Sequence, residues 1–137
     1  MRAIGLSVVL LAAVSNSAFA QESPRPMTEQ EFAARVTGKT FFFSQAGQSF
    51  GAESYETDRS VTWTYGDGAC VDGGWYADGD QICFAYLGNE DEPICWHFFD
   101  TAGTITARIV GADPMEDLTV TGEIDKVLPC MAPGVGT

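Results

Sequence analysis

The chain has 137 residues, with 19 Asp and Glu against 7 Lys and Arg, for a formal charge of −12. That length holds one domain and excludes a large multidomain enzyme. The acidity excludes a nucleic-acid surface, which needs clustered Lys and Arg, and 45% hydrophobic residues with 12% aromatics exclude a disordered acidic tail.

The N-terminus reads as a targeting segment. Met1-Arg2 gives a positive start, and the apolar run from Ile4 to Val14 is shorter than the ~20 residues a membrane-spanning helix needs. Ala18-Phe19-Ala20 is a small-x-small cleavage site. This predicts a secretory signal peptide over residues 1–20, cleaved after Ala20. The product is expected to be periplasmic or secreted, without a membrane span, where cysteines form disulfides.

Residues 21–27 carry Pro24 and Pro26 and read as an extended lead-in. Thr28-Glu29-Gln30-Glu31 is a capping box, Phe32 and Val36 share a helix face, and Gly38 supplies a stop. One short helix over 29–37 follows. Beyond Gly38 the period changes to two. Val61, Trp63 and Tyr65 alternate with Thr62 and Thr64. The same alternation holds for Ile82-Phe84-Tyr86, Ile94-Trp96-Phe98, Ile105-Ala107-Ile109 and Leu118-Val120. Such alternation marks strands with one buried face. Eight strands are predicted, near 40–45, 50–57, 60–66, 69–77, 80–87, 93–99, 104–111 and 117–125. Turn signals such as Ala46-Gly47, Asp78-Gly79 and Ala102-Gly103 separate several of them. The connections are short, so the fold class is mainly β: an eight-stranded antiparallel up-and-down barrel of lipocalin- or avidin-like architecture, with one N-terminal helix. A β-sandwich is the alternative. The domain spans 28–130, and the Gly/Pro-rich residues 131–137 read as a flexible tail.

Asp78-Gly79 is a strong two-residue hairpin signal. It sets Ala77 opposite Asp80, pairing Trp75–Ile82, Gly73–Phe84 and Val71–Tyr86, with Gly73 leaving room for the Phe84 ring. Cys70 then falls opposite Leu87, and Cys83 opposite Gly74. Four strand residues, roughly 13 Å, separate the two cysteines, beyond the ~7 Å that a disulfide allows. A five-residue loop over 87–91 places Cys83 beside Cys95. The expected disulfides are therefore Cys83–Cys95 and, by elimination, Cys70–Cys130. The cysteine spacing lacks a CxxC metal knuckle, and no metal or cofactor is expected.

No catalytic residue is assigned. His97, the only imidazole, falls on the face opposite Trp96 and Phe98, and no GxSxG motif accompanies it. Most acids lie in turns, where turn chemistry and solubility explain them. Asp78-Gly79-Asp80 lacks EF-hand spacing. The densest feature is aromatic. Trp63, Tyr65, Trp75, Phe84, Tyr86 and Trp96, the candidate ligand-lining residues, share the inward face with Phe98. A barrel of this size is either filled or holds one small ligand. Tyr55 and Arg59 lie near strand ends, where they could rim a mouth.

A set of motifs runs from Gly38 to Phe99. Gly38-Lys39-Thr40 leads into an aromatic strand, followed by Gly51-x-Glu53-x-Tyr55, Val61-x-Trp63, Asp67-Gly68-x-Cys70, Gly74-Trp75, Ile82-Cys83-Phe84 and Cys95-Trp96. This pattern resembles a group of small exported alphaproteobacterial proteins of unknown function. The resemblance covers about half the chain and implies an exported, disulfide-bearing β domain. It transfers no functional residue. The sequence reading is a non-enzymatic, monomeric protein-binding or envelope accessory module. A small apolar ligand-binding barrel is the alternative, and a hydrolase a distant third.

Overall fold

The computed structural model describes residues 24–130. The signal peptide expected over residues 1–20, the first residues of the expected lead-in and the expected tail over 131–137 lie outside them. One helix, α1 (Glu29–Val36), precedes eight strands: β1 (Thr40–Gln45), β2 (Gln48–Tyr55), β3 (Ser60–Thr64), β4 (Cys70–Asp78), β5 (Gln81–Tyr86), β6 (Ile94–Thr101), β7 (Thr104–Ile109) and β8 (Leu118–Ile124). Each strand pairs antiparallel with the next, and β8 pairs back onto β1. The sheet is thus a closed barrel in strand order 1 to 8. Closure leaves no free edge, and the sandwich alternative is set aside.

The capping box forms as expected. Thr28 Oγ1 accepts from the Glu31 amide at 3.2 Å, and Glu31 Oε2 accepts from the Thr28 amide at 2.9 Å. Gly38, at φ +77°, turns the chain out of α1, and its amide donates to the Tyr55 carbonyl at 2.8 Å. The helix thereby lies across one end of the barrel and drives Phe32 into the lumen. The Phe32 ring centroid is 4.5 Å from that of Phe98, 5.0 Å from Trp75 and 5.8 Å from Tyr55. Phe32 is fully buried and Val36 nearly so.

The β4–β5 register differs from the expected one. Asp78 pairs with Gln81, Ala77 with Ile82, Trp75 with Phe84, and Gly73 with Tyr86. The loop is Gly79-Asp80 rather than Asp78-Gly79. Gly79 alone takes positive φ, at +61°, as a type II′ turn asks of its first central residue. The slip moves each partner by two positions, so the inward faces are unchanged. Gly73 accordingly makes room for Tyr86, not Phe84. A Cβ at position 73 would lie 2.8 Å from the Tyr86 ring and 2.5 Å from the Ala85 carbonyl. The β2 strand also runs two residues earlier than expected, because Ala46-Gly47 forms a tight two-residue turn joining Gln45 to Gln48.

Both expected disulfides are present. Cys83–Cys95 joins directly opposed residues of β5 and β6, with Cα atoms 4.0 Å apart. Cys70–Cys130 anchors the segment after β8. That segment straps the outside of the barrel: the Lys126 carbonyl accepts from Thr40 Oγ1 at 2.9 Å and the Leu128 carbonyl from Ser54 Oγ at 3.0 Å. Closing a loop of sequence separation 60 contributes about 4 kcal/mol on the chain-entropy model.

Phe32→Ala is expected to lower stability by about 3–5 kcal/mol, a fall in melting temperature of about 15 °C or more. Thermal unfolding followed by near-ultraviolet circular dichroism checks it. A change of only a few degrees would show that α1 is not what fills this end.

Candidate functional site

Alternation points Phe43, Glu53, Tyr55, Trp63, Val71, Phe84, Tyr86, Trp96, Phe98, Ala107 and Leu118 into the barrel. At the α1 end these side chains and Phe32 pack solidly. At the opposite end they do not meet, and a hollow of about 350 Å³ opens to solvent there. Tyr65, Leu87, Ile94 and Ile109 form its exposed apolar rim. A register irregularity between Phe43 and Ser44 leaves Phe50 unpaired on β2, and such a bulge re-aims a side chain. The Phe50 ring joins the wall 5.8 Å from Trp63. Gly51 makes room for the Trp63 indole, whose atoms a Cβ there would overlap. Two larger hollows, of about 470 and 430 Å³, lie on the outside, one beside α1 and one over β3 and β4. The inner hollow is the one walled by rings.

Five of the six candidate lining residues, Trp63, Tyr65, Phe84, Tyr86 and Trp96, border this hollow. Trp75 does not. It sits at the α1 end under Phe32, with the Arg59 guanidinium 4.2 Å above its ring. Neither Tyr55 nor Arg59 rims a mouth. Tyr55 is wholly buried on the wall of the hollow, and Arg59 pairs with Glu29 of α1 at 2.5 Å. His97 faces outward, its Nε2 3.3 Å from an Asp80 carboxylate oxygen. Among the described residues, no group of three or more His, Cys, Asp or Glu is placed to hold a metal ion.

One residue of the wall escaped the sequence reading. Among the described residues, Glu53, 3% exposed, is the only Asp, Glu, Lys, Arg or His that borders the hollow. Tyr86 Oη, reaching across the lumen from β5, donates to Glu53 Oε2 at 2.5 Å. Burial raises the Glu53 carboxyl from 4.5 to about 7, and the phenols of Tyr86 and Tyr55 partly oppose that rise. Burial and the adjacent carboxyl push both phenols well above their ordinary value. The Tyr55 hydroxyl is buried on the same wall without a partner in hydrogen-bond geometry. The signal for Glu53 was available, since it alternates with Gly51 and Tyr55 on one face of β2. A charged residue on an inward face is costly unless something answers it.

No protein-family model, curated protein or solved structure matches the chain. The site stands on its own geometry.

The Glu53 shift fixes a pH dependence. Below pH 4.5 both folded and unfolded chains hold this proton. Between 4.5 and about 7 the folded chain keeps a proton that the unfolded chain releases. Stability therefore falls as pH rises through that window, by about 3 kcal/mol in all, and levels off above it. Glu53→Gln removes the effect. Its melting temperature relative to wild type is expected to rise steadily from pH 4.5 to pH 7.5, as read by paired thermal melts. A constant difference across the range would place Glu53 outside a desolvated site.

Proposed function

We propose that this is an exported, non-enzymatic binding protein that holds one small, largely apolar molecule in the open half of its barrel. The observation that carries this reading is the uneven filling of the lumen. One end is closed by Phe32, while the other is a ring-lined hollow of about 350 Å³ open at its mouth. That volume lies at the lower end of the range for small-molecule sites, which are concave, mostly apolar and furnished with a few polar groups. Here the polar groups are Glu53, Tyr55 and Tyr86. Export is supported by the signal-peptide pattern of residues 1–20 and by the two disulfides. Among the described residues no helix is long and apolar enough to cross a membrane.

The protein-binding reading rests on the exposed apolar rim, where Tyr65 and Leu87 are each about two-thirds exposed. The hollow behind the rim favours the ligand, because a docking patch needs no empty interior. The order of the two sequence readings is therefore reversed.

A neutral naphthylamine probe is expected to bind the purified protein one to one and to take up excitation energy from Trp63 and Trp96. Val71→Trp, which puts bulk into the wall, should weaken that binding at least tenfold while leaving the far-ultraviolet circular dichroism and the cooperative thermal melt in place. Binding that fails to saturate, or that Val71→Trp leaves untouched, counts against a lumen site.

A further inference from the structure

The basic residues of this barrel gather at one end, while the acids lie at both. The loops at the mouth are residues 46–47, 65–69, 87–93 and 110–117. They carry Asp67, Glu90, Asp91, Glu92, Asp113, Glu116 and Asp117, and no Lys or Arg. Of the six basic residues described, Arg25, Arg35, Lys39, Arg59 and Lys126 lie in α1 or in segments at the plugged end. The sixth, Arg108, is held by Asp117 through two contacts of 2.7 Å. A ligand approaching the opening therefore meets a field that concentrates cations and repels anions. Inside, it meets a wall of rings, which attract a cation through their faces. Among the described residues, the only Asp, Glu, Lys, Arg or His on that wall is Glu53.

We propose that the ligand is an organic cation: a protonated amine on a small apolar body, with the ammonium at Glu53 and the body among the rings nearer the mouth. This rests on the ligand-binding reading above and names the chemical class of its ligand. Two features of the wall suit such a group. Glu53 faces the phenols of Tyr86 on β5 and Tyr55 on its own strand. Its neighbours on β1 and β3 are Phe41 and Trp63, which carry no charge. The arginines of the plugged end are engaged elsewhere, Arg35 with Glu123 and Arg59 with Glu29. Among the described residues the buried carboxylate thus has no cation of its own, a costly state when ionised that an incoming ammonium relieves. The Tyr55 hydroxyl, wholly buried beside Glu53 but in no hydrogen bond of good geometry, has acceptor capacity for a second N–H. An ammonium offers two or three donors from one atom, which suits two acceptors on one wall.

Phenethylamine, phenethyl alcohol and 3-phenylpropanoate are close in size and differ in charge, so titration calorimetry with the three tests the proposal. At pH 8 the amine is expected to bind at least tenfold tighter than the alcohol, and the carboxylate weakest. The amine's advantage should shrink as pH falls from 8 to 5.5, because Glu53 takes up a proton while the amine stays charged. Glu53→Gln should bring the amine down to the affinity of the alcohol in the same variant. The wild-type pH profile carries the test even if that variant folds poorly. Equal binding of amine and alcohol at pH 8, or tightest binding by the carboxylate, overturns the cation assignment. If the neutral naphthylamine still binds in that case, the ligand-binding reading survives. If neither it nor any of the three binds, both fall.

Discussion

An eight-stranded barrel encloses a lumen of nearly fixed width, so the rest of this structure depends on how Phe32 fills one end of it. The ring touches Tyr55, Trp75, Phe84 and Phe98, side chains from β2, β4, β5 and β6. Four strands that are not all neighbours are thereby tied to one side chain. With that end solid, the remaining inward rings cannot all reach a partner across the lumen. The hollow is what is left, and its depth is set by where Phe32 stops. The capping box serves the same contact, since it fixes the start of α1 and hence the height at which Phe32 enters.

The carboxyl on the wall is tolerated through several compensations acting together. Tyr86 supplies one hydrogen bond. Titration near neutrality leaves the group uncharged for part of the time, which lowers the cost of burying it. Two glycines make room for the flanking rings: Gly73 beneath Tyr86 and Gly51 beside Trp63. Neither glycine has positive φ, so space rather than backbone freedom explains both. In a protein of marginal stability, an arrangement that weakens the fold as pH rises is hard to account for by packing alone.

The architecture was legible because period-two alternation survives errors of register. The β4–β5 pairing expected from Asp78-Gly79 was out by two positions, yet every inward residue of both strands was placed on the correct face. The Cys83–Cys95 pairing was also legible, since the expected register across β5 and β6 matches the observed one. Trp75 and Trp63 could not be told apart from sequence. Both alternate inward, and only the entry of α1 at one end decides that Trp75 is packed while Trp63 borders space. Glu53 was missed for a different reason. With so many acids in turns, composition explains each one too readily, and only its place on the inward face of β2 sets this one apart. Phe50 was beyond reach, because its aim depends on a bulge that no local signal announces.

The strap ending at the Cys70–Cys130 disulfide gives the molecule a direction. The described chain enters beside α1 and the β6–β7 turn, where Pro24 and Arg25 lie near Asp100. It leaves at Cys130, against the Gly68 carbonyl in the loop between β3 and β4, on the mouth side. The two ends of the fold therefore exit at opposite poles. Immobilising the protein through residues ahead of Pro24 presents the opening to solution, whereas a bulky fusion after Cys130 stands next to it and crowds the entrance. Reduction of that one bridge would free the strap from the mouth while leaving every rung of the barrel in place.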